Sequence, residues 1–512
     1  MLRLAELLGP LAAAADAGAG LPPETGARTA LIGLELAQRV GLASELLSDV
    51  YYAGLLRHLG CSATAHEETL LAGDEQELHV ALGPVDAASP VQMLTGAARG
   101  FARGKSVAKR AATVAKFMAK APAAVPPIFA ARCEVAGQLA RRLGFGDSVV
   151  RALDETYERW DGKGLPRRKR GSELSRVAAL LAVAETAAMF LKLPGGEPLA
   201  SKVIAERAGG QFDPALCRVF LRERAEILRE ARADAVRSVL LEREPRPHRA
   251  VGNVRELALV LADFADLKST FTLGHSRKIA ELARRAALAL GLTQSQVEAV
   301  ELAGLLHDLG RVSVSNAIWD KPASLDAGEW EKVRAHAWFT ERVLEHAEPW
   351  RELARLAAAD HERMNGEGYP RGAPAPNAGM AARLLAAADV YQALCEARAH
   401  RPAFAATRAA QLVIAEAEAG RLDRAAVNAV LEAAGHRQAR ASLPRGLTGR
   451  EVEVLRLLAR GLVDKEIATA LGISHRTVHH HNQSIFGKIG VSTRAAAALF
   501  AVEHDLTSND PA

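Results

Sequence analysis

Cysteine is scarce in this chain of 512 residues. The four that are present, Cys61, Cys133, Cys217 and Cys395, are scattered and form no CxxC pair. This spacing argues against a disulfide framework and against a zinc knuckle, because both need cysteines at short, paired spacings. We therefore expect a protein of the reducing cytoplasm.

Long hydrophobic runs are also missing. The most apolar stretch, Val177 to Leu193, carries Glu185 in its middle and falls short of the ~20 apolar residues that a membrane span needs. Near the N-terminus, Glu6 and Pro10 interrupt any signal-like apolar region. We expect no membrane association and a cytoplasmic location.

Aromatic residues make up only 4% of the chain, whereas alanine and leucine dominate it. Because these two residues are strong helix formers, the composition predicts an all-α fold, with early helices at Thr29–Val40 and Ser44–Leu56. The length exceeds that of a single core, so about two to four domains are expected. A net charge of +5 permits nucleic-acid contact without arguing for it.

Two segments of the chain repeat. Ala53–Gly60 (AGLLRHLG) and Ala303–Gly310 (AGLLHDLG) differ only at their central pair. Further on, Glu158–Pro166 (ERWDGKGLP) matches Glu362–Pro370 (ERMNGEGYP), in the same order. Several matched blocks in one order make chance an unsatisfactory explanation, and the sequence predicts an internal duplication.

The repeat sets the predicted domain boundaries. Two related helical domains are expected at 1–241 and 253–436, joined by a linker at 242–252 in which two prolines oppose a continuous helix. A second connector, 437–446, leads to a C-terminal module at 447–512.

The second copy places metal-ligand side chains on the core-facing positions of its helices. Buried carboxylates and imidazoles gathered in one core are costly unless a cation binds them. Their number exceeds the needs of one tetrahedral ion, so one or two divalent ions (Fe, Mn or another transition metal) are predicted. Two such ions would suit an in-line phosphoryl displacement. The predicted ligands are His275, His307, Asp308, His336, Asp360, His361 and Asp389.

All of these residues except Asp360, together with the Gly368-Tyr369-Pro370 loop, resemble the HD-GYP branch of the HD metal-dependent phosphohydrolases. The resemblance covers about 265–410, and members are typically helical phosphodiesterases that open cyclic di-GMP with two or three metals. It implies an HD-type bundle for each copy and a nucleotide or phosphoester ligand. It further implies catalytic roles for Asp308 and Arg311, and substrate contacts from Arg311 and the Gly368-Tyr369-Pro370 loop.

The second copy departs from the HD-GYP pattern at four positions. Asp360 stands where the family has a histidine, and Arg311 where it has a lysine. Phe271 replaces the glutamate of the trinuclear members, so two metals at most are expected. Asn365 replaces an aspartate of the loop. These departures leave activity toward cyclic di-GMP open.

The first copy has lost the ligand pattern. Its central pair is Arg57-His58, Thr25 stands where His275 would be, and Glu185 stands where Asp389 would be. We expect no catalytic metal in this copy. Two roles remain open for it: packing against the second copy, which we favour, or binding a nucleotide without hydrolysing it.

In the C-terminal module, Thr448 and Ser474 are expected to cap helices, and 464–483 is expected to form a helix-turn-helix motif. Through Leu447-Thr448, Lys465-Glu466-Ile467-Ala468 and Thr477-Val478, the module resembles the LuxR-type (GerE-like) four-helix DNA-binding domain over 447–505. The second helix of the motif would enter the major groove of double-stranded DNA. The predicted DNA contacts are Lys465, Ser474, Arg476, Thr477, His479, His480, Gln483 and Lys488.

Three functions remain open at this point. The leading hypothesis is a homodimeric transcriptional regulator whose DNA binding responds to metal and nucleotide occupancy through the 437–446 connector. The second is an active phosphodiesterase with an accessory DNA-binding tail. The third is a catalytically inactive nucleotide sensor.

Overall fold

The computed structural model describes residues 2–347, 350–372, 379–436, 444–504 and 506. Across these residues the fold is helical, with isolated β-bridges in place of strands. This confirms the all-α prediction. No helix in the described ranges is long and apolar enough to cross a membrane. The chain divides into two compact units, Met1–Ala434 and Gly435–Ala512.

The first predicted copy contributes twelve α-helices to the larger unit. A 3-10 turn at Leu59–Thr64 follows the third of them. The helices are α1 (Leu4–Gly18), α2 (Thr25–Arg39), α3 (Ser44–Leu56), α4 (Ala65–Ala72), α5 (Glu75–Leu82), α6 (Pro90–Gly100), α7 (Val107–Arg142), α8 (Asp147–Asp154), α9 (Arg176–Leu191), α10 (Gly196–Glu206), α11 (Pro214–Ile227) and α12 (Val236–Glu242).

The second predicted copy contributes nine α-helices within the described residues. A 3-10 turn at Leu309–Ser313 follows the third of them. The helices are α13 (Val254–Asp266), α14 (His275–Ala289), α15 (Gln294–Leu306), α16 (Asn316–Trp319), α17 (Ala327–Leu344), α18 (Arg351–Ala357), α19 (Met380–Cys395), α20 (Ala406–Glu418) and α21 (Arg424–Ala433).

The two copies share one hydrophobic core, which runs from Leu2 to Leu431. The segment between α12 and α13 takes part in this packing, because Glu244 is buried and accepts hydrogen bonds from Tyr52 and Arg249. The boundary between the copies at 242–252 therefore remains a prediction from the repeat. Within the larger unit, the copies pack as one body.

Matched local geometry supports the duplication. A Cβ on Gly54 would lie 2.9 Å from the Ala30 Cα, and one on Gly304 would lie 2.7 Å from the Ala280 Cα. In both copies, glycine thus allows the helix that carries the central pair to approach its neighbour closely. Leu165-Pro166 and Tyr369-Pro370 are both cis.

The boundaries of two early helices can be compared with those predicted from the local sequence pattern. The predicted helix at Ser44–Leu56 is confirmed. The preceding helix was expected to begin at Thr29, but it begins at Thr25. The reason is tertiary: the Asp16 carboxylate of α1 accepts a hydrogen bond from the Gly26 backbone N–H at 2.9 Å, which satisfies an N-terminal donor of the helix.

The smaller unit is a four-helix domain with its own core. Its helices are α22 (Gly449–Ala459), α23 (Asp464–Leu471), α24 (His475–Ile489) and α25 (Arg494–Glu503). Thr448 and Ser474 cap α22 and α24 as predicted. Val478 and Ile485 are fully buried in the core.

Candidate metal centre and DNA-binding surface

The structure brings all seven predicted ligands together. His275 opens α14, the His307-Asp308 pair follows α15, and His336 lies within α17. The Asp360-His361 pair follows α18, and Asp389 lies within α19. Gly310 allows this assembly, since a Cβ there would collide with the backbone carbonyl of His336. All but His361 are buried.

The ligand atoms form two groups. One consists of His275, His307 and Asp308, and the other of His336, Asp360 and His361; within each group, the ligand atoms lie within 4.8 Å of one another. Each group thus offers mixed nitrogen and oxygen ligands, which suit Fe, Mn or Zn.

Asp308 lies between the two groups. Its Oδ2 is 3.5 Å from His307 Nε2 and 3.9 Å from His275 Nε2. Its Oδ1 is 3.6 Å from His336 Nε2, in the other group. The two oxygens of one carboxylate therefore face different groups, as a bridging ligand requires.

Asp389 faces both groups as well. Its Oδ1 lies 3.4 Å from His275 Nε2, and its Oδ2 lies 3.9 Å from His361 Nδ1. Asp389 of α19 thus lies near both groups, as Asp308 does.

Several ligand atoms have no hydrogen-bond partner within the described residues. These buried atoms are His307 Nε2, His336 Nε2 and both Asp360 oxygens. Since each unsatisfied buried polar group costs about 1–3 kcal/mol, the arrangement requires compensation. The Nδ1 atoms of His307 and His336 face backbone carbonyls of Gly304 and Val333, which leaves Nε2 as the free ligand atom. The donor set fits divalent metal ions.

Electrostatics within the centre are uneven. Burial alone would raise the pKa of Asp308, but Arg311 and the surrounding histidines hold it well below its usual range. Burial raises the pKa of Asp360 well above its usual range, and the carboxylates of Asp389 and Asp308 add to this. A bound cation would favour the charged form of Asp360.

Two residues near the centre were not predicted from the sequence pattern. Glu396 Oε2 lies 2.7 Å from His275 Nδ1 and fixes the orientation of that ring. Arg398, largely buried, lies 3.4 Å from Glu396 and donates to the Phe271 carbonyl at 3.5 Å. The available signal was proximity in the chain, because Glu396 directly follows α19, seven residues after Asp389.

Of the predicted substrate residues, Arg311 and Tyr369 contact residues of the centre. Arg311 donates to Asp308 Oδ2 at 3.1 Å, and the Tyr369 ring stacks on His361 at a centroid distance of 4.6 Å. Gly368 lies so close to the chain that a Cβ would be 2.5 Å from the Arg363 nitrogen. Pro370 borders a surface pocket of about 330 Å³.

The equivalent position in the first copy holds ion pairs. Glu185 accepts from Arg57 Nε at 2.6 Å and faces His58 Nε2 at 2.8 Å. His58 Nδ1 lies 2.9 Å from Asp16 Oδ1. Cationic side chains of the chain thus balance the carboxylates that gather at this position. The absence of a metal from this copy remains a prediction.

All eight predicted DNA contacts are exposed on the smaller unit. Arg476, His480 and Gln483 lie on the outer face of α24. Ser474 also caps that helix through the Thr477 N–H, at 3.1 Å. Lys488 pairs with Glu451 at 2.7 Å, so a phosphate would have to share or replace this partner.

Comparison with known proteins agrees with this architecture. An HD domain model matches residues 259–426, and the model for bacterial regulatory proteins of the luxR family matches 445–501. The chain is 29% identical over 405 residues to 3'3'-cGAMP-specific phosphodiesterase 3 of Vibrio cholerae, covering 78% of this chain and 88% of that protein.

Two further relatives extend the comparison. The chain is 31% identical to the cyclic di-GMP phosphodiesterase response regulator RpfG of Xanthomonas campestris, over 35% of this chain and 47% of that protein. A crystal structure of a cyclic GMP-AMP specific phosphodiesterase of V. cholerae superposes with a TM-score of 0.58 at 25% identity, covering 85% of this chain and 98% of that one. The chain therefore carries an HD domain, followed by a DNA-binding domain of the luxR family.

Proposed function

We propose that the HD domain is a metal-dependent phosphodiesterase that opens a cyclic dinucleotide, and that the luxR-type domain makes the chain a DNA-binding regulator. The observation that carries the enzymatic part is the Asp308 carboxylate, with one oxygen facing each group of ligand atoms. The unpartnered atoms of His307, His336 and Asp360 support it, because divalent cations would satisfy them together.

Each ligand group would hold one divalent ion, Fe or Mn being the best suited. Bound there, such ions would lower the pKa of water and polarise a phosphoryl oxygen. The protein's own residues would orient the substrate: Arg311 offers a planar guanidinium to a phosphate. Tyr369 borders the centre through its contact with His361, and Glu396 holds His275 in place.

The relatives support a substrate class. The long alignment to a 3'3'-cGAMP-specific phosphodiesterase favours 3'3'-cGAMP as the substrate. The alignment to RpfG, which would suggest cyclic di-GMP, covers a smaller share of the chain. In the proposed site, Asp360 adds an oxygen ligand where an HD-GYP enzyme has a nitrogen. This change favours a harder cation such as Mn²⁺ over a softer one.

Metal analysis combined with turnover tests the enzymatic proposal. Purified protein should retain between one and two transition-metal ions per chain and should linearise 3'3'-cGAMP faster than cyclic di-GMP. The Asp308→Asn variant, which keeps the shape of the side chain, should lose both metal and turnover. Retention of less than about one metal per chain, with no effect of the variant, would contradict an enzyme.

A catalytically inactive sensor is the second candidate. One observation favours it: Arg311 donates to the same Asp308 oxygen that faces His275 and His307. In a sensor of this kind, cyclic dinucleotide binding would persist without turnover. Calorimetric titration of the metal-loaded protein with 3'3'-cGAMP, followed by product analysis of the same sample, distinguishes the two functions.

The regulatory proposal concerns DNA. We expect a homodimer that binds paired half-sites, with the response to ligand transmitted through the 437–446 connector, most of which lies outside the described residues. Genome-wide DNA pull-down should return a sequence motif. This motif should vanish when Arg476, His480 and Gln483 are changed together to alanine, and its persistence would refute their assignment to base contacts.

A further inference from the structure

One buried carboxylate of the first copy reaches the wall of the metal centre. Glu75, the first residue of α5, is 1% exposed. Its Oε1 accepts from Lys268 Nζ at 3.0 Å and from the Asn316 N–H at 2.8 Å. Its Oε2 accepts from Ser315 Oγ at 2.9 Å and Thr69 Oγ1 at 2.7 Å. Three of these four donors belong to the second copy.

The element that Glu75 holds is too short to be stable alone. Asn316–Trp319 forms a single helical turn, and isolated helices need many more residues to persist in water. Its start is bound by Glu75. At its end, Asp320 accepts from Ser269 Oγ at 2.6 Å and lies 2.8 Å from His66 Nδ1, again a residue of the first copy. The first copy therefore contacts both ends of this turn.

Trp319 connects this turn to the metal centre. Its Nε1 donates to the Arg311 carbonyl at 3.2 Å, and the Arg311 guanidinium lies 3.8 Å from the centre of its ring. The ring edge faces His336, with centroids 5.5 Å apart. The first copy also contacts the 3-10 turn that precedes α16, because Gln76 Nε2 donates to the Ser313 carbonyl at 3.0 Å.

We propose that the first copy is a positioning element of the metal centre, and that Glu75 is the positioning residue that sets the Arg311 side chain through α16 and Trp319. Because Glu75 and Lys268 are both buried, changing either one alone would leave a buried charge unpaired and would destabilise the fold nonspecifically. Only variants that remove both charges can separate positioning from folding.

Two double variants make this separation. Glu75→Gln with Lys268→Met keeps an acceptor for the Asn316 N–H and offers an amide N–H to the Ser315 hydroxyl oxygen, whereas Glu75→Ala with Lys268→Met removes both. In both double variants, positions 75 and 268 carry no charge. Amide hydrogen exchange followed by mass spectrometry should show faster exchange across residues 309–320 in the alanine double variant than in the glutamine one, with α9 unchanged. Equal exchange at 309–320 in the two would overturn the proposal.

Arg142→Ala is the matched control. It removes a different ion pair between the copies, formed with Asp263 at 2.5 Å. This pair joins α7 to α13 and makes no contact with residues 309–320. We expect this variant to leave exchange at 309–320, and turnover, at the level of the unchanged protein.

Kinetics give an independent test, which rests on the proposed phosphodiesterase function. The alanine double variant should lose about 10- to 100-fold in kcat/KM for 3'3'-cGAMP relative to the glutamine one, at equal metal content. If Glu75 acts through Arg311, this difference should disappear in an Arg311→Ala background. A difference that persists undiminished there would overturn the proposal. If the unchanged protein turns over no cyclic dinucleotide, the proposed function fails, but the exchange comparison still decides the role of Glu75.

Discussion

Asp308 lies where the two groups of ligand atoms meet. It is 2% exposed, and histidines from both groups surround its oxygens. Arg311 supplies the neutralising contact within the chain. A residue in this position would bind both ions at once, so its loss should affect the two groups together rather than one.

We therefore expect Asp308→Ala to remove both ions. Metal content should fall from about two per chain to below one, and phosphodiesterase activity should fall by more than the 10–100-fold typical of losing a ligand's partner. Inductively coupled plasma mass spectrometry measures the metal content, and product chromatography measures the activity. His58→Gln, at the repeated position in the first copy, can keep hydrogen bonds to Asp16 and Glu185, so it serves as the control and should leave metal content unchanged. Equal metal loss in the two variants would contradict the assignment.

Glu396 acts on the centre through His275. Changing it to glutamine removes the charge that holds the Nδ1 side of the ring, so we expect metal affinity to fall about 10–100-fold with the folded structure intact. Competition titration with a metal chelator measures this. Glu281→Gln, on the same α14 helix but paired with Arg284 away from the centre, should leave affinity unchanged.

His58 offers a pH-dependent test of the first copy. Burial would lower the pKa of His58, but Asp16 and Glu185 outweigh it and raise the pKa to about 10. An unfolded histidine has a pKa near 6.5. The raised pKa therefore stabilises the fold fully below about pH 6.5, and this contribution is lost as the pH rises through about 10.

Denaturant unfolding of the larger unit at different pH values measures this contribution. Between pH 6.5 and 10, the unchanged protein should lose on the order of 4 kcal/mol more unfolding free energy than His58→Gln does. The ion pairs with Asp16 and Glu185 indicate that His58 has a raised pKa in the folded state. Parallel pH profiles of the two proteins would contradict this.

At the scale of the element, α24 combines two functions on opposite faces. Val478 and Ile485 pack in the core, and Asn482 donates to Asp464 of α23 at 3.0 Å, which fixes the angle between the two helices. Arg476 and Gln483 remain exposed on the other face. The buried face thus sets how the exposed face is presented to DNA.

Two substitutions should separate positioning from readout. Lys465→Ala should weaken binding to all sequences and lower the slope of log affinity against log salt by about 1. Gln483→Ala should cost about 1–3 kcal/mol on the target sequence and little on others. Fluorescence anisotropy with target and scrambled duplexes over a salt series gives both quantities. A uniform loss from Gln483→Ala would contradict a base contact.

Helix boundaries followed the sequence where the cap is local. Thr448 with Glu451, and Ser474, are read directly from neighbouring residues, and their helices begin as predicted. The start of α2 was wrong by four residues because its N-terminal partner, Asp16, lies on another helix. Local pattern cannot reveal a cap that tertiary packing supplies.

At the scale of the whole molecule, the chain has two compact units with separate cores. The proposed metal ligands all lie in the larger one. A ligand that binds only the folded state stabilises the unit that contains its site, by about 4 kcal/mol at a thousandfold excess over its dissociation constant. Metal removal should therefore affect one unit only.

Calorimetry of the full chain tests this. We expect two unfolding transitions, and chelation should lower the midpoint of the larger unit by several degrees while the smaller unit's midpoint stays constant. Adding back Mn²⁺ should restore the first midpoint. A shift of the smaller unit's transition on chelation would place a metal outside the proposed centre.

The sequence by itself determined the helical class and the helix-turn-helix domain, and it predicted the duplication and the seven ligand residues. Each rests on composition or on residues at short, regular spacing, which chain geometry converts into shared helix faces. Only the tertiary structure decided how the ligands divide, with Asp308 and Asp389 facing both groups, and that Glu396 holds His275. It also brought Glu75 of the first copy to the wall of the second. These contacts join residues tens to hundreds of positions apart, and only packing of the shared core fixes their distances.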